Sequence, residues 1–187
     1  AMKRLQAESE RPRREPGLVG GIPVDSEYVI FVIDTSGSMQ RFAWTALQRK
    51  MAQVLDAYPK VKGLQVMNDE GVYMFASYAG KWIPDTPGRR QAVIQRLASW
   101  NAYSNSSPVE GIEAAIRAFH KPGQKVSIYV FGDDFSGDSI SQVIDTVDRL
   151  NRSNDRGERL MRIHAVAFPV YFVMEPAKHH PNIVRFA

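Results

Sequence analysis

The most constraining stretch of this 187-residue chain is Tyr28-Val29-Ile30-Phe31-Val32-Ile33, six consecutive apolar residues, mostly β-branched or aromatic, that give way at once to Asp34. A strand wetted on one face alternates apolar with polar residues; an unbroken run of this kind is buried on both faces, as inside a parallel sheet. Parallel neighbours need long crossovers, and helix signals follow where they are required. Leu47, Met51, Val54, Leu55 and Tyr58 form one helical stripe that Pro59 stops. Thr86 as cap and Pro87 as first helical residue open a helix to about Ser99, and Ser107-Pro108-Val109-Glu110 reads as a capping box before Ile112, Ile116 and Phe119. Val126 to Phe131 is a second buried strand. Ser139-Ile140-Ser141-Gln142 repeats the capping pattern ahead of Val143, Ile144, Val147 and Leu150, and Arg162 to Phe168 reads as the last strand. Leu64–Met67 and Val72–Phe75, separated by Asn68-Asp69-Glu70-Gly71, predict a hairpin. The alternation predicts an α/β fold: a doubly wound, mostly parallel central sheet with helices on both faces and one antiparallel edge strand.

Composition narrows the chemistry. The 44% apolar content is enough for one sizeable core, and the absence of cysteine removes disulfides, thiolate nucleophiles and every Cys-containing zinc or iron–sulfur site. The net charge of +4 looks like a nucleic-acid footprint until it is placed: residues 1–20 carry +2, residues 175–187 carry +1, and the middle only +1. A nearly neutral middle argues against nucleic acid as the partner. No window reaches the roughly 18 apolar residues of a membrane span, and the Arg-rich start lacks a signal peptide's apolar region, so the segment reads as soluble and free of membrane contact. Residues 1–20 read as a charged linker or the end of a preceding segment, and 21–187 as the folded domain.

Ligand sites in such sheets lie beyond the carboxyl ends of the strands. There the first strand offers Asp34-Thr35-Ser36-Gly37-Ser38, in which Gly37 lets Ser36 and Ser38 turn back toward Asp34, and the second offers Gly132-Asp133-Asp134. Ser106 stands just ahead of the capped helix at Ser107. These are hard oxygen donors with no Cys or His nearby, a set that suits Mg²⁺, Mn²⁺ or Ca²⁺.

Asp34-Thr35-Ser36-Gly37-Ser38 after an apolar strand resembles the DxSxS signature of the von Willebrand factor type A (VWA) domain family, and the likeness of pattern runs from about residue 26 to 170. The resemblance implies a metal-ion-dependent adhesion site. Its ligands would be Asp34, Ser36 and Ser38, a hydroxyl at the family's Thr position, and Asp133 where the family has Thr-Asp-Gly. Aligning Gly111-Ile112-Glu113-Ala114-Ala115-Ile116 with the family's usual helix puts Ser106 at the Thr position; Ser104 and Ser107 remain open, with Ser107 better explained as a cap. The implied function is noncatalytic: Mg²⁺ (or Mn²⁺ or Ca²⁺) bridging the domain to an Asp or Glu carboxylate of a protein partner. The family normally ends in a further strand and helix, and Asn182–Ala187 resembles only the start of that helix. A domain cut short there would leave a sheet edge uncovered and favour a homo-oligomer. Members of the family occur in secreted, periplasmic, membrane-tethered and cytoplasmic proteins, so the resemblance assigns no compartment.

Plainer readings compete with this one. Asp34, Ser36 and Ser38 also suit a turn with a helix cap. Asp134 and Asp138 read as solvated loop or cap residues, Arg89-Arg90 as a solvated helix start, and Trp44, Trp82 and Trp100 as partly buried core. None of His120, His164, His179 and His180 has a ligand's spacing. A Mg²⁺-dependent phosphohydrolase resembling the haloacid dehalogenase superfamily is the alternative from another class, since Gly132-Asp133-Asp134-Phe135-Ser136-Gly137-Asp138 resembles its acidic motif. That family places a second Asp two residues after the nucleophile to protonate the leaving group; Ser36 cannot do so at neutral pH. A structural module with a vestigial or permanently filled site is the third reading.

Overall fold

The computed structural model describes residues 18–19, 22–134, 140–153 and 158–170. Most of the charged leading segment, Ser139 of the second capping pattern, Asp138, His179-His180 and residues 182–187 lie outside the described residues. A short antiparallel pair, β1 (Leu18–Val19) and β2 (Ile22–Pro23), precedes the main sheet. The main elements are β3 (Tyr28–Ile33), α1 (Trp44–Ala57), β4 (Gly63–Asn68), β5 (Ile83–Pro84), α2 (Pro87–Ala98), α3 (Pro108–Phe119), β6 (Val126–Gly132), α4 (Ile140–Leu150) and β7 (Arg162–Ala167). The fold is α/β, and its five-stranded mixed sheet has the order β5-β4-β3-β6-β7. All pairs are parallel except the β4–β5 edge pair.

The fully apolar run of β3 is central in the sheet, and its alternate side chains enter two separate apolar clusters. Val29, Phe31 and Ile33 pack with Leu47, Met51, Val54 and Leu55 of α1 and with Val93 and Leu97 of α2. Ile30 and Val32 pack with Ile112, Ala115, Ile116 and Phe119 of α3 and with Val143 and Val147 of α4. Each such fully buried side chain stabilises the fold by about 1.5–3 kcal/mol relative to exposure. Among the described residues no helix is long and apolar enough to cross a membrane.

Four expectations need correction. Val72–Phe75 does not form a hairpin strand; only Met67 and Tyr73 bridge, and the antiparallel edge is Ile83–Pro84. Asn68 is the reason, because its Oδ1 accepts from the Glu70 and Val72 amides and curls the chain tightly. Arg90 is not a solvated residue: Nε and Nη2 grip Asp85 at 2.6 and 2.7 Å while Nη1 donates to the Leu55 carbonyl, tying α2 to the end of α1. Ser107 takes the cap position of α3 but makes no side-chain cap hydrogen bond. Ile144 is 38% exposed rather than part of the buried stripe. By contrast, Thr86 caps α2 through the Arg89 amide, as its sequence position predicts. Trp100 is buried, and Trp44 and Trp82 pack half-buried against the clusters.

Candidate metal centre

The site follows from sheet register. Ile33 pairs with Asn68 on one side and with Phe131 on the other, so the three strands finish nearly flush. The next residues, Asp34 after β3, Asp69 after β4 and Asp133 just past Gly132 of β6, come out at one end of the sheet. The approach is close: a Cβ placed on Gly132 would stand 3.4 Å from the Asp34 Cβ and 3.5 Å from its Oδ2.

The first loop turns without a left-handed glycine, since Gly37 keeps a backbone conformation open to any residue. Asp34 Oδ1 accepts from the Ser36 amide at 2.8 Å, and the Ser36 and Ser38 hydroxyls meet at 3.1 Å. The Gln40 amide then donates to the Ser36 carbonyl, and the chain passes into α1 through one π-helical turn, Met39–Ala43, that buries Met39 and Ala43. Such a turn carries one residue more than an α-turn, a device found often beside functional sites.

The second loop reaches the first through Ser104. Its hydroxyl accepts from the Thr35 amide at 3.1 Å, and the residue is 1% exposed. Ser106 is half-buried and is the only non-glycine residue with positive φ (58°) among those described. Left-handed backbone at a serine costs on the order of 1 kcal/mol, and the following Ser107-Pro108 pair, restricted to extended geometry, offers no relief. Of the hydroxyls left open by the sequence, Ser104 is seen against the first loop.

Asp69 is the residue sequence reasoning missed. Its Oδ2 accepts from the Ser107 amide at 2.7 Å and its carbonyl from the Gly111 amide at 2.6 Å, so Asp69 caps the start of α3 from another strand. Asp69 thus holds the Ser107 amide that the Glu110 side chain would take in a capping box. Glu70 Oε1 holds the neighbouring Asn105 through its amide and its side chain. The visible signal was an Asp one residue past an apolar strand, masked by its reading as a turn residue.

Asp34, Asp69 and Asp133 are 3%, 1% and 0% exposed. Four of their oxygens are buried without a hydrogen-bond partner: Asp34 Oδ2, Asp69 Oδ1 and both oxygens of Asp133. Each such atom costs about 1–3 kcal/mol, and more on a charged group. Burial pushes all three carboxyls up. Asp34 reaches about 7, against the opposing pull of Ser36, with further upward push from the negative charges of Asp69 and Asp133. Asp69 rises by burial despite the Ser104 hydroxyl and Ser107 amide, and Asp133 by burial despite Ser38 nearby.

Among the described residues, no group of three or more His, Cys, Asp or Glu side chains is placed to hold a metal ion. A cation here would therefore rest on two carboxylates and neutral hydroxyls. The donors fit that demand: Asp34 and Asp133 bring three buried oxygens that lack hydrogens, and Ser36 and Ser38 bring adjoining hydroxyls. Asp34, Ser36, Ser38 and Asp133 stand together at this end of the sheet; Ser106 is on the adjoining loop, and Asp134 is half-buried beside Asp133. Compared with known proteins, the chain matches no family model and no curated protein.

Proposed function

We propose that this chain is a noncatalytic, divalent-cation-dependent protein-binding module, built as a VWA-like domain with a doubly wound, Rossmann-like sheet. The observation that carries the reading is the set of buried carboxylate oxygens on Asp34 and Asp133 with no hydrogen to accept. Acids left so in a folded interior call for a cation. The sheet order and the two apolar clusters on alternate residues of β3 support the doubly wound arrangement. Asp34 and Asp133 would hold the ion, Ser36 and Ser38 would complete its oxygen shell, and Ser104 or Ser106 would add a third hydroxyl. When bound, Mg²⁺ would supply a hard, incompletely neutralised position for an Asp or Glu carboxylate of a partner.

The chain's own residues do the positioning. The Ser36 amide fixes Asp34 Oδ1 and leaves Oδ2 toward Gly132, while Ser104, anchored on the Thr35 amide, keeps the second loop against the first. Calorimetry with Mg²⁺ and Mn²⁺, beside Asp34→Ala, tests the reading. A binding heat lost in the variant is expected; no heat in the wild-type protein would refute it. Partner capture that survives EDTA would refute the bridging mechanism. The phosphohydrolase alternative still lacks an acid at position 36, and hydrolysis of p-nitrophenyl phosphate with Mg²⁺ would be needed to revive it.

A further inference from the structure

Four large apolar side chains stand in the open among the described residues: Phe42 (45% exposed), Val72 (52%), Tyr103 (74%) and Ile144 (38%). Three of them belong to the segments that build the acid and hydroxyl cluster. Phe42 follows Ser38 by four residues, in the π-helical turn that opens α1. Val72 closes the turn after Asp69, its amide held by Asn68 Oδ1 at 2.7 Å. Tyr103 is forced outward by its neighbours: Ala102 packs on the apolar core, and Ser104 is buried against the Thr35 amide. The Arg41 guanidinium lies 5.3 Å from the centre of the Phe42 ring, which adds a cation to the same rim. Scattered single exposed residues need no explanation, but these three stand on the segments that carry Ser38, Asp69 and Ser104.

Resting on the cation reading above, we propose that Phe42, Val72 and Tyr103 form a selective rim, with Arg41 beside it. The partner would be a protein segment whose Asp or Glu is flanked by a bulky apolar side chain. Charge decides among occupants. Asp34, Asp69 and Asp133 oppose a polyanion such as nucleic acid, whereas a single carboxylate facing the cation and Arg41 is complementary, and the exposed rings require an apolar companion to it. The rim thus sets which acidic segments bind, and the oxygen cluster sets that binding needs a divalent cation.

The test is a displayed peptide library with a fixed central Asp or Glu and varied flanks, selected on the full chain in Mg²⁺ and eluted with EDTA. Peptides with aromatic or large aliphatic flanks should be enriched. For the best of these, Tyr103→Ser and Phe42→Ser should each raise the Kd about tenfold or more, as truncation of an aromatic anchor does. Mg²⁺ binding by calorimetry and the far-ultraviolet circular dichroism should stay unchanged, because neither side chain belongs to the oxygen cluster. Equal selection of Gly- and Ser-flanked acidic peptides, no enrichment with Mg²⁺ bound, or an unchanged Kd in both variants overturns the rim while leaving the cation site standing. Absence of a Mg²⁺ binding heat in the wild-type chain overturns the cation reading and the rim with it.

Discussion

Replacing Gly111 by alanine should destabilise the protein, against the ordinary rule for a helix. Glycine inside a helix is about 1 kcal/mol worse than alanine, so Gly→Ala there normally stabilises. Gly111 is in the first turn of α3, where its amide donates to the Asp69 carbonyl at 2.6 Å. A Cβ on it would meet Val32 Cγ1 at 2.7 Å, the Asp69 carbonyl oxygen at 2.8 Å and the Asn68 carbonyl oxygen at 2.9 Å. Two of these are backbone atoms of a buried strand end and cannot swing aside. Relief requires α3 to retreat by about 0.6–0.8 Å, the gap to an ordinary contact near 3.5 Å. Overpacking of this kind costs about 1–3 kcal/mol, and stretching the Gly111 and Ser107 amide bonds to Asp69 adds up to about 1 kcal/mol each. Set against the gain of about 1 kcal/mol in helix propensity, the net is a loss of roughly 1–3 kcal/mol.

Gly88 is the internal control. It is also in the first turn of a helix, α2, and a Cβ on it would meet nothing within 4 Å. Gly88→Ala should therefore stabilise by about 0.5–1 kcal/mol. Urea unfolding of both variants, followed by circular dichroism, reads the difference. A thermal scan should place Gly111→Ala about 2–12 °C below the wild-type protein, at roughly 2–4 °C per kcal/mol for a chain of this length. If Gly111→Ala gained as much as Gly88→Ala, the close approach of α3 to the ends of β3 and β4 would be refuted, and the cross-strand cap by Asp69 with it.

Arg90→Ala should cost about 3 kcal/mol in urea unfolding, because Asp85, with a side chain 4% exposed, loses its bidentate partner and the Leu55 carbonyl loses its donor; Arg90→Lys should recover little, a point charge being a poor substitute for the fork. Ser104→Ala should destabilise by about 1–3 kcal/mol by orphaning the buried Thr35 amide, whereas Ser106→Gly, which relieves a φ of 58°, should be close to neutral; whichever of the two also lowers Mg²⁺ affinity in calorimetry supplies the third hydroxyl. In the cation-free protein the folded Asp34 keeps its proton up to about pH 7 while an unfolded Asp releases it near 4, so stability should fall as pH rises through that window, by up to about 4 kcal/mol, and level off above it. Asp34→Asn should flatten most of that slope, with a remainder from Asp69 and Asp133, which are shifted in the same direction; a slope unchanged in the variant would count against the assignment.

Most of the framework was legible because it rests on strong, local signals. The apolar run 28–33 specified a strand buried on both faces, and the stripe from Leu47 to Tyr58 specified the helix that covers one of them, since burial period and chain direction leave little choice. Asp34, Ser36, Ser38 and Asp133 were legible for the same reason: a strand end fixes where the next residues emerge. What stayed hidden depends on contacts made across the chain. The hairpin expected at Val72–Phe75 shrank to the single bridge Met67–Tyr73, because the Asn68 side chain took the Val72 amide that the next rung would have used. The capping box at Ser107 has the right residues, yet Asp69, 38 positions earlier, reached the Ser107 amide first. Arg90 looked solvated because Asp85, five residues earlier, lies outside its helix and Leu55 lies 35 residues away, so neither partner shows in a helical pattern.

The three buried aspartates then separate by what surrounds them. Asp69 has its charge answered in part by the protein itself: one oxygen and the carbonyl cap the amides of α3, whose N-terminal dipole favours a negative group, while its other oxygen has no partner. Asp34 has one oxygen held by the Ser36 amide and one with no partner, and Asp133 has neither oxygen held. Three of the four unpartnered oxygens are therefore on Asp34 and Asp133, at the ends of β3 and β6, where the Ser36 and Ser38 hydroxyls adjoin. On that distribution, Asp69→Asn should mainly loosen α3 and the loop carrying Ser104, lowering stability by about 1–2 kcal/mol with a modest loss of Mg²⁺ affinity. Asp133→Asn should do the reverse: it removes part of a buried like-charge repulsion, so the cation-free protein gains stability while Mg²⁺ binding is lost. Urea unfolding and calorimetry on the two variants separate the roles. An Asp133→Asn protein that both lost stability and kept its Mg²⁺ would show that the buried carboxylate serves the fold alone.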